Sequence, residues 1–295
     1  MHPDTLQWFQ AGPEGAINSE GSHKMFEGKS LRQKLHSGAI CLGIWVSFTD
    51  PCVTELLSGS GYDFLMIDSE HSAMDIESVQ RNCMATKGSD VAPMVRVPWN
   101  DQVMIKRVLD AGAAGILTPM VRSPEDATRA VEACLYPPAG IRGFGPRRPA
   151  NYERHFAEYI TNANVNIVIW VQIEHIDAVN CIEKIVGVPR LDGVFVGSND
   201  LSGSMGLLGQ PRHPRVLEAI DKVIAAARGA GLPMGIAGPP TPADAYAWLE
   251  KGVQFITLGG DQGLLVQASQ ASVDGVRKLI SQTQTSLGEQ SHPEE

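Results

Sequence analysis

Short, almost wholly apolar segments alternate with amphipathic ones along this chain, and this alternation limits the fold more than any other feature. Strands that are apolar on both faces are typical of parallel sheets covered by helices, and strand–helix alternation is typical of βαβ units. Eight such units predict a single (β/α)8 TIM barrel. The segments with the length and composition of strands are residues 39–48, 63–68, 92–97, 115–121, 166–174, 192–197, 232–238 and 255–260.

An open, doubly wound sheet is the alternative architecture. It usually contains fewer repeated units, and no G-x-G-x-x-G motif follows the first strand. We therefore expect one α/β catalytic domain, with parallel strands, over residues 24–282. A flexible segment at 1–23 is expected to precede it, and a polar tail at 283–295 to follow it.

The overall charge favours small-molecule chemistry. The 295 residues include 33 acidic and 24 basic side chains, a net charge of −9. This charge disfavours sequence-independent binding to the phosphate backbone of nucleic acid. The segment GPRRP is basic, but it lacks aromatic residues interleaved on a basic face. We expect no nucleic-acid partner.

The cysteines and the apolar patterning predict a cytoplasmic protein. Five widely spaced cysteines without a C-x-x-C pair are typical of reduced thiols rather than of disulfides or a zinc site. The first residues lack an apolar signal core, and no run of about 18 apolar residues occurs. We therefore expect no membrane association.

Two neighbouring strands end in carboxylates. Glu174 follows NIVIWVQI and Asp200 follows DGVFVGSN. Active sites of (β/α)8 barrels lie at the carboxyl ends of the strands, so these acids are expected to converge, and such oxygen ligands suit Mg²⁺ or Mn²⁺. The alternative is structural, with Asp200 capping the turn after the sixth strand and Glu174 capping the next helix. His175 is expected to point away from the metal.

Other strand ends carry groups suited to acid–base and anion chemistry. The second strand ends in MIDSEH, which contains Asp68, Glu70 and His71, and the third strand ends near Arg96. A histidine beside an acid is suited to general base catalysis, and a strand-end arginine to binding an oxyanion. The structural alternatives are a hydrogen-bonding histidine and a salt-bridged arginine.

Several motifs together resemble the HpcH/HpaI aldolase family, the metal-dependent pyruvate aldolases. They are GIWVSF, GYDFLMIDSEHSAMD, YPPAGIRGFG, VQIE and DGVFVGSNDLSGSMG, and the resemblance covers residues 28–280. It implies a (β/α)8 barrel, a divalent cation such as Mg²⁺ or Mn²⁺, and reactions of oxaloacetate or pyruvate through a pyruvate enolate. It also implies a homo-oligomer, a hexamer that exchanges its final helix between subunits. The segment QGLLVQASQASVDGVRKLI would be that helix, and an ordinary eighth barrel helix is the alternative.

The resemblance further implies roles for individual residues. Glu174 and Asp200 match the metal ligands, and Arg96 matches the arginine that stabilises the enolate. His71 matches an acid/base histidine, with Asp68 as its orienting partner. The residues that match the substrate pocket are Trp45, Gln172, Ser198 and Asn199, with the pyruvate carboxylate resting near the backbone of 198–200.

The long segment 136–165 departs from the bacterial aldolases and is more similar to macrophomate synthase, a fungal member of the family. That enzyme decarboxylates oxaloacetate and joins the enolate to a 2-pyrone, and our main functional hypothesis is a reaction of this kind. The residues expected to shape a second-substrate pocket are Phe144, Pro146, Arg147, Arg148 and Tyr152. For the segment itself, a subunit contact is the alternative to a lid.

Two other functional hypotheses stay open. One is a class II aldolase that cleaves a 4-hydroxy-2-oxo acid to pyruvate and an aldehyde. The other is a catalytically silent barrel that acts in binding or assembly. Retention of Glu174, Asp200 and Arg96 argues against the silent barrel.

Overall fold

Eight parallel strands form a closed barrel in chain order. The computed structural model describes residues 27–238 and 241–289, with side chains over 31–238 and 241–283. Each segment predicted as a strand contains one strand, so the predicted (β/α)8 barrel is confirmed. The strands are β1 (Cys41–Val46), β2 (Phe64–Asp68), β3 (Ala92–Arg96), β4 (Gly115–Thr118), β5 (Val168–Ile173), β6 (Gly193–Val196), β7 (Met234–Ile236) and β8 (Phe255–Gly260).

Most of the helices surround the barrel and run back from the carboxyl end of one strand to the start of the next, whereas the first helix precedes β1 and the last follows β8. Within the described residues they are α1 (Glu27–His36), α2 (Pro51–Ser58), α3 (Ile76–Ala85), α4 (Gln102–Ala111), α5 (Pro124–Cys134), α6 (Phe156–Asn166), α7 (Ile176–Asn180), α8 (Ile182–Ile185), α9 (Ser198–Ser204), α10 (Pro214–Gly229), α11 (Pro242–Glu250) and α12 (Asp261–Glu289). Asp50, Asp75, Asp101 and Ser123 cap the first turns of α2 to α5 by accepting backbone N–H groups. These caps fix where each helix leaves the site face of the barrel.

Large aromatic rings fill the inside of the barrel. The ring of Trp170 stacks on that of Phe255 with centroids 4.1 Å apart, and Phe64 meets Trp170 edge-on at 5.3 Å. Glycines make room for these rings, because a Cβ at Gly43 would lie 2.3 Å from the Phe64 ring and one at Gly235 would lie 2.2 Å from the Phe255 ring. The interior is therefore a packed floor, and the open face lies above it, at the carboxyl ends of the strands.

The last helix, α12, does not cover the barrel as an ordinary eighth helix would. Every described side chain from 262 to 283 is exposed. The helix is anchored at its first residue, where Asp261 Oδ2 accepts the backbone N–H groups of Ser47 and Phe48 at 2.8 and 2.9 Å. The exposed apolar residues along it are Leu264, Leu265, Val266, Val273, Val276, Leu279 and Ile280.

Only some of the predicted segment boundaries fall within the described residues. Helix α12 continues to Glu289, past the domain boundary predicted at 282, whereas the segments 1–23 and 290–295 lie outside the described residues. The five cysteines all lie within the described residues and form no disulfide there, and Cys41, Cys83 and Cys134 are buried. Over the described ranges, no helix combines the length and the apolar character that a membrane span needs.

The fit between Gly43 and Phe64 predicts a stability defect in Gly43→Ala. The added methyl group overpacks the floor, and we expect a loss of roughly 1–3 kcal/mol in the free energy of unfolding. Gly145→Ala is the matched control, because a Cβ there meets nothing within 4 Å. Urea denaturation of both variants measures the effect, and equal midpoints would contradict the packing argument.

Candidate active site

A buried ion pair joins the ends of β2 and β3. Asp68 and Arg96 are register partners on these adjacent strands, and both side chains point into the barrel mouth. Arg96 Nε donates to Asp68 Oδ1 at 3.0 Å and Nη2 donates to Oδ2 at 2.7 Å. This two-point contact fixes the guanidinium plane and leaves Nη1 without a bond to Asp68.

Asp68 also shapes the turn after β2, but it does not orient the His71 ring as the resemblance implied. Its Oδ1 accepts the backbone N–H groups of Glu70 and His71 at 3.0 and 3.3 Å. The His71 side chain is 62% exposed, and its Nε2 lies 3.6 Å from Glu70 Oε2. Both oxygens of Asp68 are occupied by Arg96 and the turn, so the acid next to the imidazole is Glu70.

Glu70 is the site residue to which sequence reasoning assigned no role. Its side chain is 11% exposed, and Oε2 lies 3.1 Å from Arg96 Nη1, although no hydrogen bond to this buried oxygen forms. Burial raises the pKa of Glu70 to about 7, with the negative charges of Glu174 and Asp68 adding to the shift and Arg96 and His71 opposing it. The segment MIDSEH contained the residue, but its inward direction follows only from the turn that Asp68 builds.

Glu174 is held at the end of β5 in a fixed orientation. Its Oε1 accepts the backbone N–H of Met120 at 2.6 Å, and Gln172 Nε2 donates to Oε2. A Cβ at Gly197 would lie 2.8 Å from Glu174 Oε2, so only glycine leaves the carboxylate its place. The helix cap predicted as a structural role for Glu174 is supplied instead by His175, whose ring accepts a backbone N–H in α7.

The second strand-end acid, Asp200, lies in the first turn of α9. Its charge adds to the burial that raises the pKa of Glu174, so the two carboxylates are near each other. Gln172 Oε1 is buried beside Glu174 with no hydrogen-bond partner. Ser198 and Asn199 open the same helix, on the side where its backbone N–H groups begin.

These oxygens form a ligand set that fits a hard divalent cation. Two carboxylates and an unpartnered amide oxygen are donors that Mg²⁺ and Mn²⁺ accept. Among the described residues, no group of three His, Cys, Asp or Glu side chains is placed to hold a metal, so water or substrate would complete the coordination. Burial raises the pKa of Glu174, so a cation bound beside this carboxylate would stabilise its charged form.

Trp45 closes one side of this group. The guanidinium of Arg96 lies 4.3 Å from the centre of the Trp45 ring, and that ring meets Phe195 of the barrel floor edge-on at 6.0 Å. The loop that follows Trp45 is held by Asp261 at the start of α12. The position of Trp45 therefore depends on both the floor and the last helix.

The long loop, within residues 136–165, lies away from the site residues of its own chain. Arg148 donates to the carbonyl of Cys83 at the end of α3 and to the carbonyls of Ala111 and Gly112 at the end of α4. Because the barrel helices run opposite to the strands, these carbonyls lie at the face remote from Glu174.

The other loop residues predicted to form a second-substrate pocket also lie on the outer surface of the helix layer. Phe144 packs between Tyr136 and Phe156, with ring centroids 5.2 and 5.6 Å away. Pro146 is buried, Arg147 forms an exposed ion pair with Glu153, and Tyr152 is exposed. Sequence similarity in the loop pointed to a pocket, whereas the contacts of the loop within its own chain are structural.

Comparisons with known proteins agree with the barrel. Residues 42–268 match the model of the HpcH/HpaI aldolase/citrate lyase family. A 5-keto-4-deoxy-D-glucarate aldolase of Citrobacter koseri is 39% identical over 257 residues, which are 87% of this chain and 99% of the relative.

Solved structures are similar as well. An HpcH/HpaI aldolase/citrate lyase family protein from Burkholderia cenocepacia superposes with a TM-score of 0.81 at 34% identity, covering 84% of this chain and 99% of the other. Macrophomate synthase superposes with a TM-score of 0.79 at 26% identity, covering 86% and 91% of the two chains.

The raised pKa of Glu70 predicts how the stability of the metal-free protein depends on pH. The folded protein holds the carboxyl proton up to about pH 7, whereas the unfolded chain releases it near the ordinary value of 4.5. The unfolded state therefore binds fewer protons in this window, and Glu70 makes stability fall as the pH rises through it. Glu70→Gln removes this loss, and its free energy of unfolding should gain on that of the wild type by roughly 1–2 kcal/mol between pH 4.5 and 7.5, less than the full shift because solvent screens the charge.

Urea denaturation in the presence of a chelator measures this difference at each pH. Glu77→Gln is the matched control, because Glu77 is exposed and pairs only with Arg81 on the surface of α3. A Glu70→Gln curve that runs parallel to that of the wild type would contradict the raised pKa.

Proposed function

The chain belongs to the HpcH/HpaI aldolase/citrate lyase family, and we propose from this premise that it is a metal-dependent aldolase that cleaves a 4-hydroxy-2-oxo acid to pyruvate and an aldehyde. The family and the relatives make it a lyase of the aldolase type. Its substrate class follows from the relatives named for 5-keto-4-deoxy-D-glucarate, which are 39–40% identical to the chain over nearly their whole length.

The observation that carries the proposal is the built set of oxygen donors beside a fixed guanidinium. Glu174, Gln172 and Asp200 offer ligands for Mg²⁺ or Mn²⁺. The positive charge of Arg96 acts on Glu174 and opposes the rise in its pKa. A divalent cation held by these residues would act as a Lewis acid on the 2-oxo acid. A catalytically silent barrel has no need for this combination.

Arg96 supports the charge that develops as the carbon–carbon bond breaks. Cleavage leaves an enolate oxyanion on the pyruvyl fragment, and the guanidinium, oriented by Asp68, presents Nη1 as a donor to such an oxygen. Trp45 covers the guanidinium and excludes water from one side. Ser198 and Asn199 lie at the start of α9, and in this proposal their backbone N–H groups would receive the substrate carboxylate.

The comparisons favour the aldolase over the macrophomate-synthase reaction that was the main hypothesis from sequence. Macrophomate synthase is 26% identical to the chain, against 39–40% for the aldolases. The loop that suggested a pyrone pocket packs on the outside of the barrel. Decarboxylation of oxaloacetate stays within the chemistry of the proposed site, because it yields the same enolate.

Purified protein stripped with a chelator should release no pyruvate from 5-keto-4-deoxy-D-glucarate, and added Mg²⁺ or Mn²⁺ should restore the release. Lactate dehydrogenase and NADH report the pyruvate. A 2-pyrone supplied with oxaloacetate tests the alternative in the same samples. Formation of a benzoate faster than aldol cleavage would replace the proposal, and failure of every divalent ion to support pyruvate release would reject it.

Glu174→Gln should abolish the metal-restored activity without unfolding the barrel. Glu183→Gln is its control, because Glu183 is an exposed acid on α8. Mn²⁺ titration separates loss of the ion from loss of chemistry. Full activity of Glu174→Gln would reject the metal site.

We further propose that the protein acts as a homo-oligomer in which α12 covers the barrel of a neighbouring copy. The support is the row of exposed apolar side chains on a helix that leaves its own barrel uncovered, since such patches mark interaction surfaces. Light scattering should give a mass that is a multiple of 31.8 kDa. Leu265→Glu with Val276→Glu should lower that mass, while a wild-type monomer at micromolar concentration would exclude the exchange.

A further inference from the structure

We propose that Asp261 is a positioning residue for the reaction, because it holds the loop after β1 and thereby keeps Trp45 against the guanidinium of Arg96. The inference rests on the aldolase function proposed above, in which Arg96 stabilises the enolate. It places one determinant of the site in the first residue of the last helix, α12.

An irregularity in β8 brings the start of α12 to the loop after β1. Gly43 on β1 pairs with Thr257 on β8. Two residues later on β1, Trp45 pairs with Gly260, which is three residues later on β8. The extra residue forms a bulge, and Gly259 there has a φ of +75°, a left-handed conformation that favours glycine. Since a shift of one residue reverses the face to which the following side chains point, the bulge sets the direction of the first side chain of α12.

The Asp261 carboxylate binds backbone amides on two segments. Its Oδ2 accepts the N–H groups of Ser47 and Phe48 at 2.8 and 2.9 Å, and its Oδ1 accepts the N–H of Gln262 at 2.8 Å. Asp261 is only 5% exposed, and hydrogen bonds to an ionised acceptor are stronger than those to a neutral one. The loop after β1 is therefore held at a fixed position just beyond Trp45.

Trp45 passes this position on to Arg96. The guanidinium lies 4.3 Å from the centre of the Trp45 ring, a distance at which a cation is attracted to the face of an indole. Asp68 binds the same guanidinium along its edge. Arg96 is thus fixed at its edge by a carboxylate and on its face by a ring, and the position of that ring depends on Asp261.

A helix cap alone does not account for the contacts of Asp261. The acids that cap α3 and α4 accept the N–H groups of Ser78 and Met104, which lie within those same helices. Asp261 Oδ2 instead binds a loop that is more than 200 residues away along the chain, as the separations of 214 and 213 residues show. Capping of α12 needs no such contact, so the contact points to placement of the loop.

Steady-state kinetics of aldol cleavage with Mg²⁺ test the effect on the reaction. Asp261→Ala should lower kcat by roughly 10- to 100-fold and leave KM within about threefold, because a displaced Arg96 is missed most in the transition state. Asp261→Asn keeps an oxygen for the loop N–H groups and should recover most of the rate. Asp221→Ala is the control and should match the wild type, since Asp221 pairs with Lys251 at the surface.

A double-mutant cycle separates positioning from a general effect on the structure. If Asp261 acts through Trp45, adding Asp261→Ala to Trp45→Ala should change kcat by less than about twofold. Losses that multiply in the double variant would overturn the inference. Light scattering should give Asp261→Ala the mass of the wild type, and a lower mass would assign the loss to assembly instead.

The position of Trp45 can also be followed without metal or substrate. In protein labelled with 5-fluorotryptophan, Trp45→Phe identifies the ¹⁹F resonance of Trp45. Asp261→Ala should shift or broaden this resonance, whereas Asp261→Asn and Asp221→Ala should leave it in place. An unchanged resonance in Asp261→Ala would overturn the inference. If Asp261→Ala moves the resonance but the wild type cleaves no 4-hydroxy-2-oxo acid, the structural link holds and the proposed function is rejected.

Discussion

The packing of four large aromatic rings inside an eight-stranded barrel is the constraint on which the rest of the structure depends. Phe64, Trp170, Phe195 and Phe255 occupy the interior, and glycines on adjacent strands leave space for these rings. A barrel of eight strands has room for side chains and little else, so these rings close it from below. The polar residues of the site therefore lie at or near the carboxyl ends of the strands, where water and substrate can reach them.

The charge at the open, carboxyl end of the barrel is the second constraint on the site. The acids Asp68, Glu70, Glu174 and Asp200 surround the single guanidinium of Arg96, so negative charge exceeds positive charge. Burial makes this excess unfavourable, and the raised pKa values of Glu70 and Glu174 are its consequence. A site of this kind is suited to bind a positive charge, and the proposed reaction uses a divalent cation there.

The sequence predicted the barrel and most of the mouth because both follow from local patterns. Apolar runs marked the strands, and acids at their ends marked Glu174 and Asp200. The partner of Asp68 was not predictable in this way, since it depends on the register that sets Asp68 opposite Arg96. The direction of Glu70 depends in turn on that pair. The pocket role predicted for the long loop rested on similarity alone, and chain order argues against it within one chain: the loop follows α5, and segments between a helix and the next strand lie at the face opposite the site.

The contacts of Arg148 indicate a structural role for the long loop. Carbonyl groups at the end of a helix carry the negative pole of its dipole, and one guanidinium meets those of both α3 and α4. The loop therefore stabilises the packing of these two helices at the base of the barrel through the charge of Arg148. Because this segment stabilises the base of the barrel, the choice of aldehyde should be sought in the segments that follow the strands.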